Sequence, residues 1–373
     1  MKRIPKKLLC SLALLLLANR VEAHSLGEEE GHSHDHTISW PAQLLQVAAR
    51  TLGANPSEGS VGREISGRDS RGGRRPDQVR PFEVFSRLVD LRWDQDSLYV
   101  ESNGMPDHEV MVGITRWIGR FPMPQNYRGK NAWTIPLHPT PARVPRSART
   151  GFYRGAIAMA ANGVPIFNPL TNGGRDTFLA GELDRFGGHA GNGEDYHYHI
   201  APLHLQAQLG PSLPIGYALD GYPIYGLTEP DGSNPGKLDV LNGHRAPDGT
   251  YHYHASKTYP YVNGGFYGEV QERGGQVDPQ PRSTLSRQQP FRADRDAVIT
   301  GFKVLKPMQS YELQYRSRGQ ISRVQYAKET SGAWRFRFHL ANGRTMEETI
   351  SERNGDYRRE RRNGQGRRRR PRP

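Results

Sequence analysis

The chain has 373 residues, 35% of them hydrophobic, with 42 Gly and 28 Pro, so much of it is loop and its length allows two or three domains. Its formal net charge is +13, yet residues 352–373 alone hold ten Arg against three acids. That pattern implies a basic tail rather than a basic body, and no nucleic-acid partner is expected. Cys10 is the only cysteine.

Lys2, Arg3, Lys6 and Lys7 precede an apolar run from Leu8 to Ala18, and Val21-Glu22-Ala23 fits a small-x-small cleavage site. Residues 1–23 therefore read as a signal peptide, and the run is too short for a comfortable membrane span. The expected location is exported: periplasmic, cell-surface or extracellular. Cleavage removes Cys10, which excludes disulfides, thiolate metal sites and cysteine nucleophiles in the mature chain. Residues 24–80 are polar, and they begin with a tract carrying His24, His32, His34 and His36 that suits loose metal collection. Their few apolar residues predict a disordered N-terminal segment.

From Pro81 short β-branched and aromatic runs separated by turn residues predict strands near 84–93, 97–102 and 109–116, with another edge at Trp133–Pro136. Two hairpins follow. AANGVPIFNP at 160–169 matches ALDGYPIYGL at 218–227, with Asn162-Gly163 and Asp220-Gly221 as the turn dipeptides.

Each hairpin leads to the same sentence. GELDRFGGHAGNGEDYHYH at 181–199 aligns with GKLDVLNGHRAPDGTYHYH at 236–254 without a gap, and nine of nineteen positions are identical. A His-x7-His-x-His triplet standing twice in register is an internal duplication. The repeats run over about 155–205 and 213–270. Tyr favours strands, and successive strand side chains point to opposite faces. His197 and His199 would then share a face with Cα atoms about 6–7 Å apart, leaving Tyr196 and Tyr198 to the core. The candidate ligands are His189, His197, His199, His244, His252 and His254. Imidazole suits Zn, Cu, Fe and Ni, and copper or zinc is the expected ion. Two geometries stay open. Either the two His-x-His strands face each other and give four imidazoles to one ion, or each triplet holds its own ion through three histidines. Asp184 and Asp239 either orient a ligand imidazole or cap a turn through backbone N–H groups. His108, beside Asp107, is a weaker candidate, while His138 and His204 read as surface residues and His339 as structural.

ESNGMPDHEV at 101–110, NGVPIF, GGHAGNGEDYHYH, ALDGYPIYG and DGTYHYHASKTYPYVNGGFYG at 248–268 together resemble the YHYH family, a bacterial and largely exported domain named for the tetrapeptide. The resemblance covers about 81–272. It implies export without implying an activity, and the cysteines common in the family near the second block are missing here.

Residues 273–296 read as a polar linker, and 297–351 as a small antiparallel β domain with a hairpin at Asn342-Gly343. The Arg-rich end, 352–373, reads as a disordered tail suited to an anionic surface or polysaccharide. Neither a Gly-x-Ser-x-Gly elbow, a phosphate loop nor His-Glu-x-x-His is present, so no catalytic residue is assigned. The expectation is a mainly β protein: a duplicated, pseudo-twofold β-rich domain followed by a small antiparallel one. Its expected function is binding of a transition metal through the repeated triplets. The alternatives are a metal-dependent enzyme of unknown substrate, or a structural or surface-interaction β domain without metal.

Overall fold

A computed structural model of the protein describes residues 68–69 and 74–350, apart from 116, 118, 192–193, 286–293 and 307–308. Residues 1–23, read from the sequence as a signal peptide, the His-rich tract and the Arg-rich tail lie outside the described residues. The described residues form a mainly β structure of several sheets.

Strands β1 (Arg68–Asp69), β2 (Val89–Trp93), β3 (Ser97–Ser102) and β4 (Trp133–Pro136) make a four-stranded sheet in that order. The alternation of β2 and β3 puts Val89, Leu91, Trp93, Leu98 and Val100 into the core, as period-2 patterning requires. Two expected strands are corrected. Residues 84–88 are not extended: a one-turn helix at Arg80–Glu83, with Pro81 at its start where a missing N–H costs nothing, runs into turns that hold Val84 and Phe85. Of the expected strand at 109–116, the described residues 109–115 form none, because Met111 at φ 67° and Gly113 at φ 90° break the extended backbone, leaving one bridge from Thr115 to Val298.

After β5 (Pro141–Ser147) the chain builds its largest sheet, eight strands from β6 (Ala156–Ala160), β7 (Pro165–Phe167), β8 (Gly188–Ala190), β9 (Tyr196–Tyr198), β10 (Gly216–Ala218), β11 (Pro223–Tyr225), β12 (Gly243–Arg245) and β13 (Tyr251–His254). The spatial order is β12-β13-β11-β10-β6-β7-β9-β8. Read outward from the central antiparallel β6–β10 pair, both sides give the same sequence. A hairpin partner comes first, then a parallel YHYH strand, then an antiparallel Gly-His strand at the edge. The registers correspond as well: Ile166 opposes Tyr198 where Ile224 opposes Tyr253, and His189 opposes His197 where His244 opposes His252.

The glycine before each edge histidine is fixed by packing. A Cβ on Gly188 would lie 2.7 Å from the His197 carbonyl oxygen and 2.6 Å from the Tyr196 hydroxyl. On Gly243 it would lie 2.6 Å from the His252 carbonyl and 2.3 Å from the Tyr251 hydroxyl. The hairpin turns abut the first sheet, where the Ser102 hydroxyl donates to the Gly163 carbonyl at 2.6 Å.

Beyond the sheet, β14 (Gly265–Gly268) pairs with β5, and β15 (Glu272–Arg273) with β16 (Gln276–Val277). The segment read as a linker thus starts with a small hairpin, and Gln280 and Leu285 pack back on the body. The Gln280 amide bonds both backbone groups of Ala156, and Leu285 is buried. The C-terminal sheet is a sequential antiparallel meander of β17 (Val298–Lys306), β18 (Ser310–Ser317), β19 (Gln320–Lys328), β20 (Trp334–His339) and β21 (Thr345–Ile350). Its aromatic face meets Trp117 and Phe121, with Tyr315, Phe336 and Phe338 at ring distances of 5.0 to 6.0 Å.

Candidate metal centres

The six repeated histidines gather into two groups, one at each end of the eight-stranded sheet. His189, His197 and His199 form the first, while His244, His252 and His254 join Glu229 in the second. Within each group the candidate donor atoms lie within 4.8 Å of one another. Of the two geometries open from sequence, this is the one with a triplet per cluster. The two YHYH strands do not face each other, since four strands stand between them in the sheet.

Edge-strand pairing brings each cluster together. Because β8 runs antiparallel to β9, His189 sits directly across from His197, and His199 follows on the same face one residue past the strand. The second half repeats this with His244, His252 and His254. The turn that positions each edge strand is braced by its aspartate. Asp184 accepts the N–H groups of Phe186, Gly188 and Met111 and the Tyr196 hydroxyl, at 2.8 to 3.2 Å. Asp239 accepts those of Leu241 and Gly243 and the Tyr251 hydroxyl, at 2.8 to 3.1 Å. Burial pushes the Asp184 carboxyl up to about 6 against these hydrogen bonds. Both aspartates cap turns and hold tyrosines.

The ring orientations carry the chemistry. In the first cluster all three Nδ1 atoms meet backbone carbonyls: His189 that of Glu182 at 3.1 Å, His197 that of Asp195 at 3.0 Å, and His199 that of Asn168 at 2.6 Å. A carbonyl only accepts, so each Nδ1 carries the proton and each Nε2 presents a lone pair. The Nε2 atoms of His189 and His199 then face each other at 3.1 Å, two acceptors with no proton between them. In the second cluster His254 Nδ1 meets the Gly226 carbonyl at 3.1 Å, the position that aligns with Asn168. His244 Nε2 lies 3.0 Å from that of His252 and 3.2 Å from that of His254. Two nitrogens bound tetrahedrally at about 2.0–2.1 Å from one ion would be separated by roughly 3.3 Å, so the spacing fits a shared cation.

Burial disfavours the protonated form of His189, His197, His199, His252 and His254. Desolvation lowers His189 to about 4. Desolvation and then the neighbouring His189 bring His199 to about 3. In the second cluster desolvation holds His254 at about 4, and lowers His252 with help from His244.

Glu229 was not read from the sequence as a ligand. Its Oε1 lies 2.8 Å from His244 Nε2 and 3.5 Å from His254 Nε2, and its Oε2 lies 3.2 Å from His252 Nε2. The signal that could have found it is the hairpin alignment, in which Glu229 stands opposite Thr171. Both residues open the same turn. Thr171 N bonds the Arg175 carbonyl at 2.9 Å, and Glu229 N the Ser233 carbonyl at 2.9 Å. Glu229, His244 and His252 also line a groove of about 1270 Å³, together with Tyr222, Tyr225 and Arg245.

His108 does not join the first cluster. It donates Nδ1–H to the Glu109 carbonyl and accepts the Tyr198 hydroxyl at Nε2 (2.8 Å), while its ring stacks on Phe186 at 3.8 Å. It is a brace for the tyrosine face of β9. His204 corrects an expectation of surface exposure: its ring lies 4.9 Å from those of His108 and Phe186, and its Nδ1 is inaccessible and without a hydrogen-bond partner. His138 stays exposed and meets the Gln95 carbonyl.

Residues 132–235 match the family model described as YHYH protein. The chain carries a YHYH domain. The matched stretch of the YHYH domain takes in the first triplet and both hairpins, and it ends before His244. None of the curated proteins matches the chain, and neither does any solved structure. Among the described residues, no helix is long and apolar enough to cross a membrane.

Proposed function

We propose that this is an exported protein whose YHYH domain binds transition-metal ions, copper or zinc, at two histidine clusters built by an internal duplication. The observation that carries the reading is the convergence of unprotonated Nε2 atoms whose opposite nitrogens are fixed on backbone carbonyls. Such an arrangement fixes tautomer and aim before any ion arrives, and neutral imidazole is the ligating form. The matching strand order and registers of the two halves support a pseudo-twofold repeat. We assign the domain to about 81–272, the C-terminal meander to 297–351, and contact with anionic surfaces or polysaccharide to the basic tail.

A second reading, a metal-dependent enzyme, is favoured by one observation: the groove beside Glu229, His244 and His252 would give a molecule access to that cluster. When bound there, the ion would supply Lewis acidity, and the chain would supply the ring orientation and the groove wall.

The test is elemental mass spectrometry of the mature protein, purified without a histidine tag. About two ions per chain are expected, one lost in His197→Ala and the other in His252→Ala. Deleting residues 24–36 should leave both. A protein that takes up no stoichiometric copper, zinc, iron or nickel refutes the reading.

A further inference from the structure

The two clusters share a scaffold but not a donor set. Among the described residues, the first offers three imidazole nitrogens and no carboxylate donor, and Thr171 stands where the second half has Glu229. The Thr171 hydroxyl is occupied by the Arg175 N–H at 3.2 Å. The nearby Asp195 carboxylate approaches His197 from the Nδ1 side, at 3.8 Å, and does not belong to the group of converging donors. The surroundings differ in the same direction. Phe167 lies flat on His197, with centroids 3.9 Å apart and planes at 13°. Its counterpart in the second hairpin is Tyr225, which meets His252 edge-on at 5.3 Å and lines the groove.

These differences select by charge and by coordination number. An ion held by three neutral rings in largely buried surroundings keeps its full charge. Because the cost of burying charge scales with its square, a monovalent ion incurs about a quarter of the divalent penalty. Zinc in a structural site takes four ligands and would need to recruit a fourth beside Phe167. A d¹⁰ monovalent copper ion is satisfied by three nitrogens. In the second cluster Glu229 brings the donor count to four and cancels one positive charge, which is the set a divalent tetrahedral ion requires.

Building on the metal-binding reading, we propose that the clusters take different ions: Cu(I) at His189, His197 and His199, and a divalent ion of the zinc class at Glu229, His244, His252 and His254.

The experiment exposes the full mature chain anaerobically to Zn(II) and to Cu(I) held in a chromogenic chelator buffer, separately and together, with metal counted after desalting. The expected result is one copper and one zinc per chain without mutual displacement. His197→Ala should lose the copper and keep the zinc. Glu229→Gln, which keeps the side-chain shape, should weaken zinc at least tenfold and leave copper unchanged. Thr171→Glu should admit a second zinc. If both ions bind but displace each other, or if zinc uptake is the same in wild type and both carboxylate variants, the division is overturned while metal binding stands. If neither ion binds, the metal-binding reading itself fails, and this inference with it.

Discussion

The two halves of the eight-stranded sheet are built from one plan and finished differently. In both, an aspartate at the head of the Gly-His strand ties down that turn and accepts a tyrosine hydroxyl, and a glycine lets the edge strand lie against the YHYH strand. The finishing residues diverge: Phe167 corresponds to Tyr225, Thr171 to Glu229, and Asn162 to Asp220. In the first half the Tyr198 hydroxyl donates to His108 and accepts from Asn162. In the second, Tyr253 donates to the Asp220 carboxylate at 2.5 Å and accepts the Tyr267 N–H. The lesson is that the bracing of the edge turn by aspartate, tyrosine and glycine is shared by the two halves. Loop side chains set charge and access, and those differ.

Acid is the largest lever expected to separate the halves. The first holds five depressed histidines, at positions 108, 189, 197, 199 and 204, and the second only His252 and His254. A histidine held near 4 when folded but near 6.5 when unfolded binds more protons in the unfolded state. Its contribution is therefore whole above about 6.5 and lost as pH falls toward about 4. Asp184, Asp195 and Asp220, raised to about 6, act in the opposite sense over about 6 to 4, and two of them belong to the first half. The histidines outnumber them most in the first half. Hydrogen-exchange protection factors of the metal-free protein should collapse at Tyr196–Tyr198 before Tyr251–His254 as pH drops from 6.5 to 4. Simultaneous loss would break the comparison.

Next come the glycines. Gly188→Ala and Gly243→Ala each force a methyl onto a strand carbonyl and a tyrosine hydroxyl, and should destabilise the fold by about 1–3 kcal/mol in denaturant titrations. Each should also weaken metal in its own half only.

Smaller and unequal effects are expected from the tyrosine hydroxyls. Tyr253→Phe strips a buried carboxylate of one of its donors and should cost about 1–3 kcal/mol, whereas Tyr198→Phe removes partners of neutral groups and should cost about 1 kcal/mol. Thermal unfolding of the two variants side by side reads the difference, and a larger loss for Tyr198→Phe would contradict the asymmetry. The smallest change expected is for Tyr225→Phe, whose ring lines the groove: stability should stay within about 0.5 kcal/mol of wild type in denaturant titrations.

Much of this was legible in the chain. The hairpins at Asn162-Gly163 and Asp220-Gly221, the C-terminal meander and the doubled triplets follow from local turn chemistry and period-2 patterning, which act over a few residues. The misreadings have the same origin. The run at 109–116 looks like a strand because its apolar residues satisfy the pattern, and only the left-handed backbone at Met111 and Gly113 bends it away. His204 looks exposed because its prolines mark a loop, and nothing local records that the loop folds over His108 and Phe186.

The sequence by itself determined that six histidines recur in register and that each triplet belongs to a β unit, since spacing and strand alternation are properties of the chain. Tertiary structure decided how they are grouped. The symmetric strand order puts the two YHYH strands outside the central hairpins, which separates the triplets into two clusters instead of one four-imidazole site. It also decided that Glu229, fifteen residues ahead of His244, turns back toward the second cluster, while Thr171 at the aligned position offers the first no carboxylate. Donor sets are assembled across loops, and no spacing rule within one strand can anticipate which loop side chain will close on them.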